Sequence, residues 1–190
     1  MKTILTRSTS LSEEMEEKLN YQIKVESTSS QYYLACASWL HKEGFEGAAK
    51  FMYGHADEER MHMIKLFGYV NDSGGHALSP EIKGIKNEFE SLKEILDYAL
   101  DHELKVSKSI NNIVDFCFEM KDFATLQFMQ WYVQEQREEE QLFRRVIEIY
   151  DIIGEEGQGL WLIDNELDKL ASASGESTGP IGMTDAEAGV

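Results

Sequence analysis

Glu59 and His62 stand three residues apart in a stretch of strong helix-forming composition. On a helix that spacing stacks a carboxylate and an imidazole on one face, one turn apart. Both groups bind metal, and carboxylates joined by a single imidazole suit hard or borderline divalent ions such as iron or manganese. A lone Glu-x-x-His arises often by chance in acidic helices, so its weight depends on its company. Three further stretches carry apolar residues at helical spacing that a polar group interrupts midway. Glu26 falls between Ile23 and Tyr33, Glu103 between Leu100 and Val106, and Gln136 with Glu139 between Val133 and Phe143. From Gln134 to Gln141 no side chain is apolar, and that run covers every side of a helix. A solvated outer face accounts for most acidic runs, but not for the inward side of this one.

These residues need long helices to carry them. Only Pro80 and Pro180 occur, which leaves two long proline-free spans. The first helix is expected to open at Ser10, with Glu13 completing a capping box, and to reach about His41. Gly44 and Gly47 mark a turn, and a second helix runs to about Asn71. Gly74, Gly75, Pro80 and Gly84 break the pattern over 73–90. A third helix opens with Ser91 and Glu94 and extends to about Met120; Asp122 caps a fourth that ends near Gly154. The pattern predicts an all-α fold: a four-helix bundle over 10–153 with one long crossover, a short fifth helix over 157–170, and a disordered tail over 171–190. Long helices of about 30 residues reach about 45 Å. A middle link of about 18 residues spans up to about 60 Å, enough to cross the bundle. The helix midpoints fall near residues 26, 58, 105 and 137, so Glu26, Glu59, Glu103 and Gln136–Glu139 meet in one layer. Carboxylates gathered in a core repel one another, and their pKa values rise unless a cation neutralises them.

The 190 residues carry 35 acidic and 18 basic side chains, a net charge of −17. Binding a polyanion needs a basic surface, so nucleic acid is not an expected partner. Nor is a membrane: the longest apolar run, Tyr32 to Ala37, falls far short of the roughly 20 residues a bilayer span requires. The stretch from Met1 to Arg7 lacks the apolar segment of a signal peptide, and Cys36 and Cys117 make no disulfide framework. A cytoplasmic location is expected.

Glu26 with Tyr33, the stretch FEGAAKFMYGHADEERMHM around Glu59 and His62, His102–Glu103, the run LQFMQWYVQEQREEEQLF and the segment GLWLIDNELDKL together resemble the bacterial non-haem ferritins. The similarity extends from Met15 to Leu170. It implies a homo-oligomeric shell of about 24 subunits. It also implies ferroxidase activity, the oxidation of Fe(II) by dioxygen at an intra-subunit di-iron centre, with ferric mineral stored inside. The resemblance makes Glu26, Glu59 and His62 ligands of a first iron, with Glu59 bridging to a second that Glu103 and Glu139 complete. Gln136 falls where the family has a neutral group beside the second iron. A third iron site follows from the same resemblance, formed by Glu58, Glu135 and Glu138 with Glu139 shared. Tyr33 stands where the family keeps a tyrosine near the first iron, as a hydrogen-bond partner and electron donor.

Bacterioferritins carry a second Glu-x-x-His on helix four, where Gln136-x-x-Glu139 stands here. Their haem-ligating methionine follows the bridging glutamate, where Arg60 stands here, so no haem is expected. His55 is expected to be a hydrogen-bonded structural histidine, with support of the ligands from behind as the alternative. His102 adjoins Glu103 and is expected to point away from it, to the surface or a subunit contact. Cys36 and Cys117 are expected to be buried and unreactive. Trp131 and Tyr132 are expected to pack the core, with electron transfer to iron as the alternative. The alternative enzyme is a di-iron oxidase or peroxidase of the rubrerythrin type, which needs no cage; the missing Cys-x-x-Cys pair argues against it. A plain helical scaffold or a DNA-protecting mini-ferritin represents another class. The fifth helix, the intra-subunit ligand set and the acidity oppose the DNA-protecting version.

Overall fold

The computed structural model describes residues 9–177. Helix α1, Glu13–Glu43, starts after Ser12, whose Oγ accepts from the Met15 N–H at 3.2 Å. Glu13, Glu14 and Glu16 sit at the positive end of its dipole. The cap is therefore Ser12 and not the expected Ser10, whose N–H donates to the Ser73 carbonyl at 3.0 Å instead. α1 closes at Gly44, held left-handed at φ 89°, where glycine has no Cβ to clash. Helix α2, Glu46–Asp72, packs along α1.

Helix α3, Leu92–Met120, begins at Ser91, whose Oγ accepts from the Glu94 N–H at 3.1 Å. Helix α4, Phe123–Ile153, pairs with α3 and begins at Asp122, which accepts from the Thr125 N–H at 3.0 Å. Both caps are those the sequence predicts. Helix α5, Gly159–Ser177, continues past the expected end at Leu170, and positions 178–190 of the expected tail lie outside the described residues. Every regular element among the described residues is helical, and none is long and apolar enough to cross a membrane.

Two straps hold the long connections. The crossover between α2 and α3 is tied to α1 by Asn20, which donates to the His76 carbonyl at 3.0 Å and accepts from the Leu78 N–H at 2.7 Å. α2 has no cap of its own, because Phe45 precedes it. Asp164 of α5 supplies one, accepting from the N–H groups of Gly47 at 3.2 Å and Ala48 at 2.8 Å.

Apolar side chains form two separate clusters. One gathers Leu19, Ile23, Leu66, Val106, Ile110 and Met129. The other gathers Leu40, Met52, Leu96, Ala99, Phe143 and Val146, with Ile163 and Leu167 from α5. Between them the buried residues are Glu26, Glu59, His62, Glu103 and Gln136, so the predicted polar layer divides the core.

Candidate metal centre

At mid-height α1 contributes Glu26, α2 contributes Glu59 and His62, α3 contributes Glu103, and α4 contributes Gln136 and Glu139. One ligand atom from each of Glu26, Glu59 and His62 lies within 4.8 Å of the others. His62 Nδ1 is 3.5 Å from Glu59 Oε2 and 3.8 Å from Glu26 Oε2. One turn before Glu26, the buried Gln22 donates from Nε2 to Glu26 Oε1 at 2.5 Å. Ser109 of α3 donates to Gln22 Oε1 at 2.6 Å, which fixes the amide orientation. One oxygen of Glu26 is thus tied, and Oε2 is left without a hydrogen bond.

Glu103 is held at both oxygens: the Tyr33 hydroxyl donates to Oε1, and Gln136 Nε2 donates to Oε2 at 2.5 Å. Glu139 belongs to a second group with His55 and Glu58. His55 Nδ1 lies 3.3 Å from Glu139 Oε2 and 3.4 Å from Glu58 Oε2. His55 therefore stands against two carboxylates of the expected ligand set, paired with both. Its place three residues before Glu58 and four before Glu59 was the available signal. Glu135 and Glu138 stand outside both groups. Glu138 is exposed and accepts from Gln134 at 2.5 Å, and Glu135 is half-buried.

The electrostatics follow from burial. Removal from water drives the Glu26 and Glu59 carboxyls well above the usual range, and their carboxylate neighbours push them further. Glu103 is raised to about 7 by burial and by Glu139. Burial also raises Glu139, but the facing His55 outweighs it and brings that carboxyl below its ordinary value. Three buried oxygens, Glu26 Oε2, Glu59 Oε2 and Glu139 Oε2, have no hydrogen-bond partner among the described residues. Buried polar atoms are almost always satisfied, so orphaned carboxylate oxygens on three helices, with imidazoles beside them, fit a cation. The donor set of oxygens with one or two nitrogens fits iron.

Residues 16–153 match the family model described as "Ferritin-like domain". The chain belongs to the ferritin-like family. It is 43% identical over 162 residues to a "Probable bacterial non-heme ferritin-like protein" of Haemophilus influenzae, covering 85% of this chain and 98% of that protein. It is 38% identical to a "Bacterial non-heme ferritin" of Campylobacter jejuni, covering 85% and 96%. An open pore ferritin from the archaeon Archaeoglobus fulgidus superimposes with a TM-score of 0.81 at 36% identity, covering 84% of this chain and 98% of that one.

In this ferritin the remaining residues fall into place around the layer. His102 is half-buried: its Nε2 lies 2.6 Å from Ser29 Oγ, among the rings of Tyr32, Tyr33 and Tyr98. Tyr132 is buried, and its hydroxyl is near enough to Glu26 for that carboxylate to raise its pKa further above what burial does. Cys36 and Cys117 are buried free thiols, pushed up by burial to about 12 and about 11, which keeps them in the unreactive form.

Proposed function

We propose that this ferritin oxidises Fe(II) with dioxygen in its buried polar layer and passes the ferric product to a mineral store inside a shell of about 24 copies. The oxygens of Glu26, Glu59 and Glu139 that lack a hydrogen bond carry the reading, because one cation-binding layer gives buried oxygens on three helices a partner at once. Glu26 Oε2, Glu59 and His62 bind one Fe(II). Glu59 bridges to a second, which Glu103 and Glu139 complete. Each substrate ion competes with protons for carboxyls whose pKa burial raises. Two Fe(II) supply two electrons to dioxygen, and the carboxylates absorb the change in charge. Tyr33 and Gln136 keep Glu103 aimed at the second position. His55, Glu58 and Glu139 adjoin the pair and provide a third position, with Glu135 and Glu138 beyond it, by which ferric ion leaves the centre. The buried free thiols suit a reducing cytoplasm.

The test replaces Glu59 by Ala. Rapid aerobic Fe(II) oxidation, followed by the ferric absorbance, is expected to disappear, and oxidation at the wild-type rate would overturn the di-iron assignment. Native mass checks the shell separately: a particle of about 24 subunits is expected, and a monomer or dimer refutes it.

A further inference from the structure

Three tyrosines stand in a line from the outside of α3 to the metal centre. Tyr98 is 45% exposed, Tyr32 is 4% exposed and Tyr33 is fully buried. The ring centroids of Tyr98 and Tyr32 are 4.5 Å apart, and those of Tyr32 and Tyr33 are 5.7 Å apart. Tyr33 ends the line by donating its hydroxyl hydrogen to Glu103 Oε1. We propose that this line carries single oxidising equivalents from the metal centre to the protein surface, where a reductant in solution quenches them. The proposal rests on the reading of the centre as a site of Fe(II) oxidation.

Two Fe(II) and two protons convert dioxygen to hydrogen peroxide, and each further electron for reducing that peroxide has another source. Tyr33 gives up one electron while its hydroxyl proton moves along the hydrogen bond to Glu103, leaving a neutral phenoxyl radical. Tyr98 then loses one electron, which passes through the ring of Tyr32 to Tyr33. Tyr33 takes its proton back from Glu103, and Tyr98 releases its own to water. A thiol or ascorbate restores Tyr98 by giving it one hydrogen atom. Each transfer moves one electron to the peroxide, one hydrogen atom out of the reductant and one proton to solvent, and two successive transfers with two protons taken up at the centre convert the peroxide to two molecules of water.

The environments of the rings assign their parts. The Tyr32 hydroxyl is buried against the Cys36 thiol, which burial keeps un-ionised and which is a poor proton acceptor, so the ring has nowhere to shed a proton on oxidation. Tyr32 is a bridge, not a resting place. Tyr98 meets water and can shed its proton there. The ammonium of Lys105 lies 6.0 Å from the Tyr98 ring, and its charge is offset by Asp101 at 2.5 Å. Another aromatic neighbour of the centre, Trp131, is less suited. Trp131 packs on His62 at 5.3 Å, but Lys65 Nζ sits 3.1 Å over the indole, and that cation opposes formation of an oxidised, positive ring.

The experiment loads the assembled wild type and its variants with Fe(II) anaerobically. Dioxygen is then added with a nitroso spin trap present, and trap adducts are mapped by peptide mass spectrometry. The wild type is expected to carry the adduct on Tyr98, and Tyr33→Phe and Tyr32→Leu are expected to lose it. Tyr32→Phe keeps the ring, and is expected to keep the adduct, which separates loss of the bridge from loss of the fold. An undiminished Tyr98 adduct in Tyr33→Phe or Tyr32→Leu overturns the line, as does its loss in Tyr32→Phe. So does a wild type that oxidises Fe(II) with Tyr98 unlabelled. A wild type that oxidises no Fe(II) overturns the reading of the centre itself, and the line with it.

Discussion

His55 Nδ1 lies 3.3 Å from Glu139 Oε2, across the gap between α2 and α4. With Glu58 Oε2 at 3.4 Å on the other side, the protonated imidazole takes the place of a cation in the metal-free protein. Burial alone lowers the pKa of His55, but Glu139 and Glu58 reverse the direction and raise it to about 8. A divalent ion entering between Glu58 and Glu139 has to displace that proton. Zn(II) occupancy at this position, read by anomalous scattering from crystals soaked over a pH series, is expected to fall as pH drops through about 8. In His55→Ala the dependence through that range is expected to vanish. The same pH profile in both proteins would remove His55 from the site.

Glu103 titrates at about 7 in the folded protein, against about 4.3 for an unfolded glutamate. The folded pKa is the higher, so the stabilisation is complete below about pH 4.3 and is lost as pH rises through about 7. Metal-free protein is therefore expected to melt at falling temperature across that window. Glu103→Gln removes the ionisation and is expected to flatten that dependence, while giving up one of the two acceptors that Tyr33 and Gln136 use. Thermal melts of both metal-free proteins over the window decide it; parallel curves would show that Glu103 is not the group responsible.

The polar layer was legible because each long helix carries its own apolar stripe, and Glu26, Glu59, Glu103 and Gln136 each break one at mid-height. The caps at Ser91 and Asp122 were legible for a similar local reason. What the chain alone concealed depends on neighbours distant in sequence. Ser10 and Ser12 are equally good local caps, and the choice falls to Ser12 because Ser10 is drawn to the Ser73 carbonyl. His55 looks like any histidine on a helix until α4 brings Glu139 against it. Gly47 looks like a turn residue, but it lies inside α2, where a Cβ would sit 2.1 Å from the Asp164 carbonyl oxygen. Its lack of a side chain serves the approach of α5.

Gln22 decides which oxygen of Glu26 is left open toward His62. It occupies Oε1 at 2.5 Å and is itself fixed by Ser109, which leaves Oε2 free. Gln22→Leu removes a hydrogen bond to an ionisable group, an interaction of about 1.5 kcal/mol, so the first ion is expected to bind about tenfold more weakly. Calorimetric titration with Mn(II) measures this directly. An unchanged affinity would mean that packing around α1, and not Gln22, orients Glu26.

α5 is attached to the bundle through the beginning of α2, where Asp164 accepts from Gly47 and Ala48. Asp164→Ala leaves two N–H groups at a helix start unsatisfied and is expected to cost about 1 kcal/mol, lowering the melting temperature by roughly 2–4 °C. Gly47→Ala is expected to cost more, because the contact it creates is with backbone, which cannot swing aside as a side chain can. Gly47 lies twelve residues before Glu59, about 18 Å along the helix, and Asp164 contacts α2 at that same end, so initial Fe(II) oxidation is expected to survive both changes. Melting curves and limited proteolysis of the 154–159 link test the pair together. Faster cleavage there with intact oxidation marks α5 as a separately detachable element, whereas loss of oxidation in Asp164→Ala would show that the metal layer depends on its attachment.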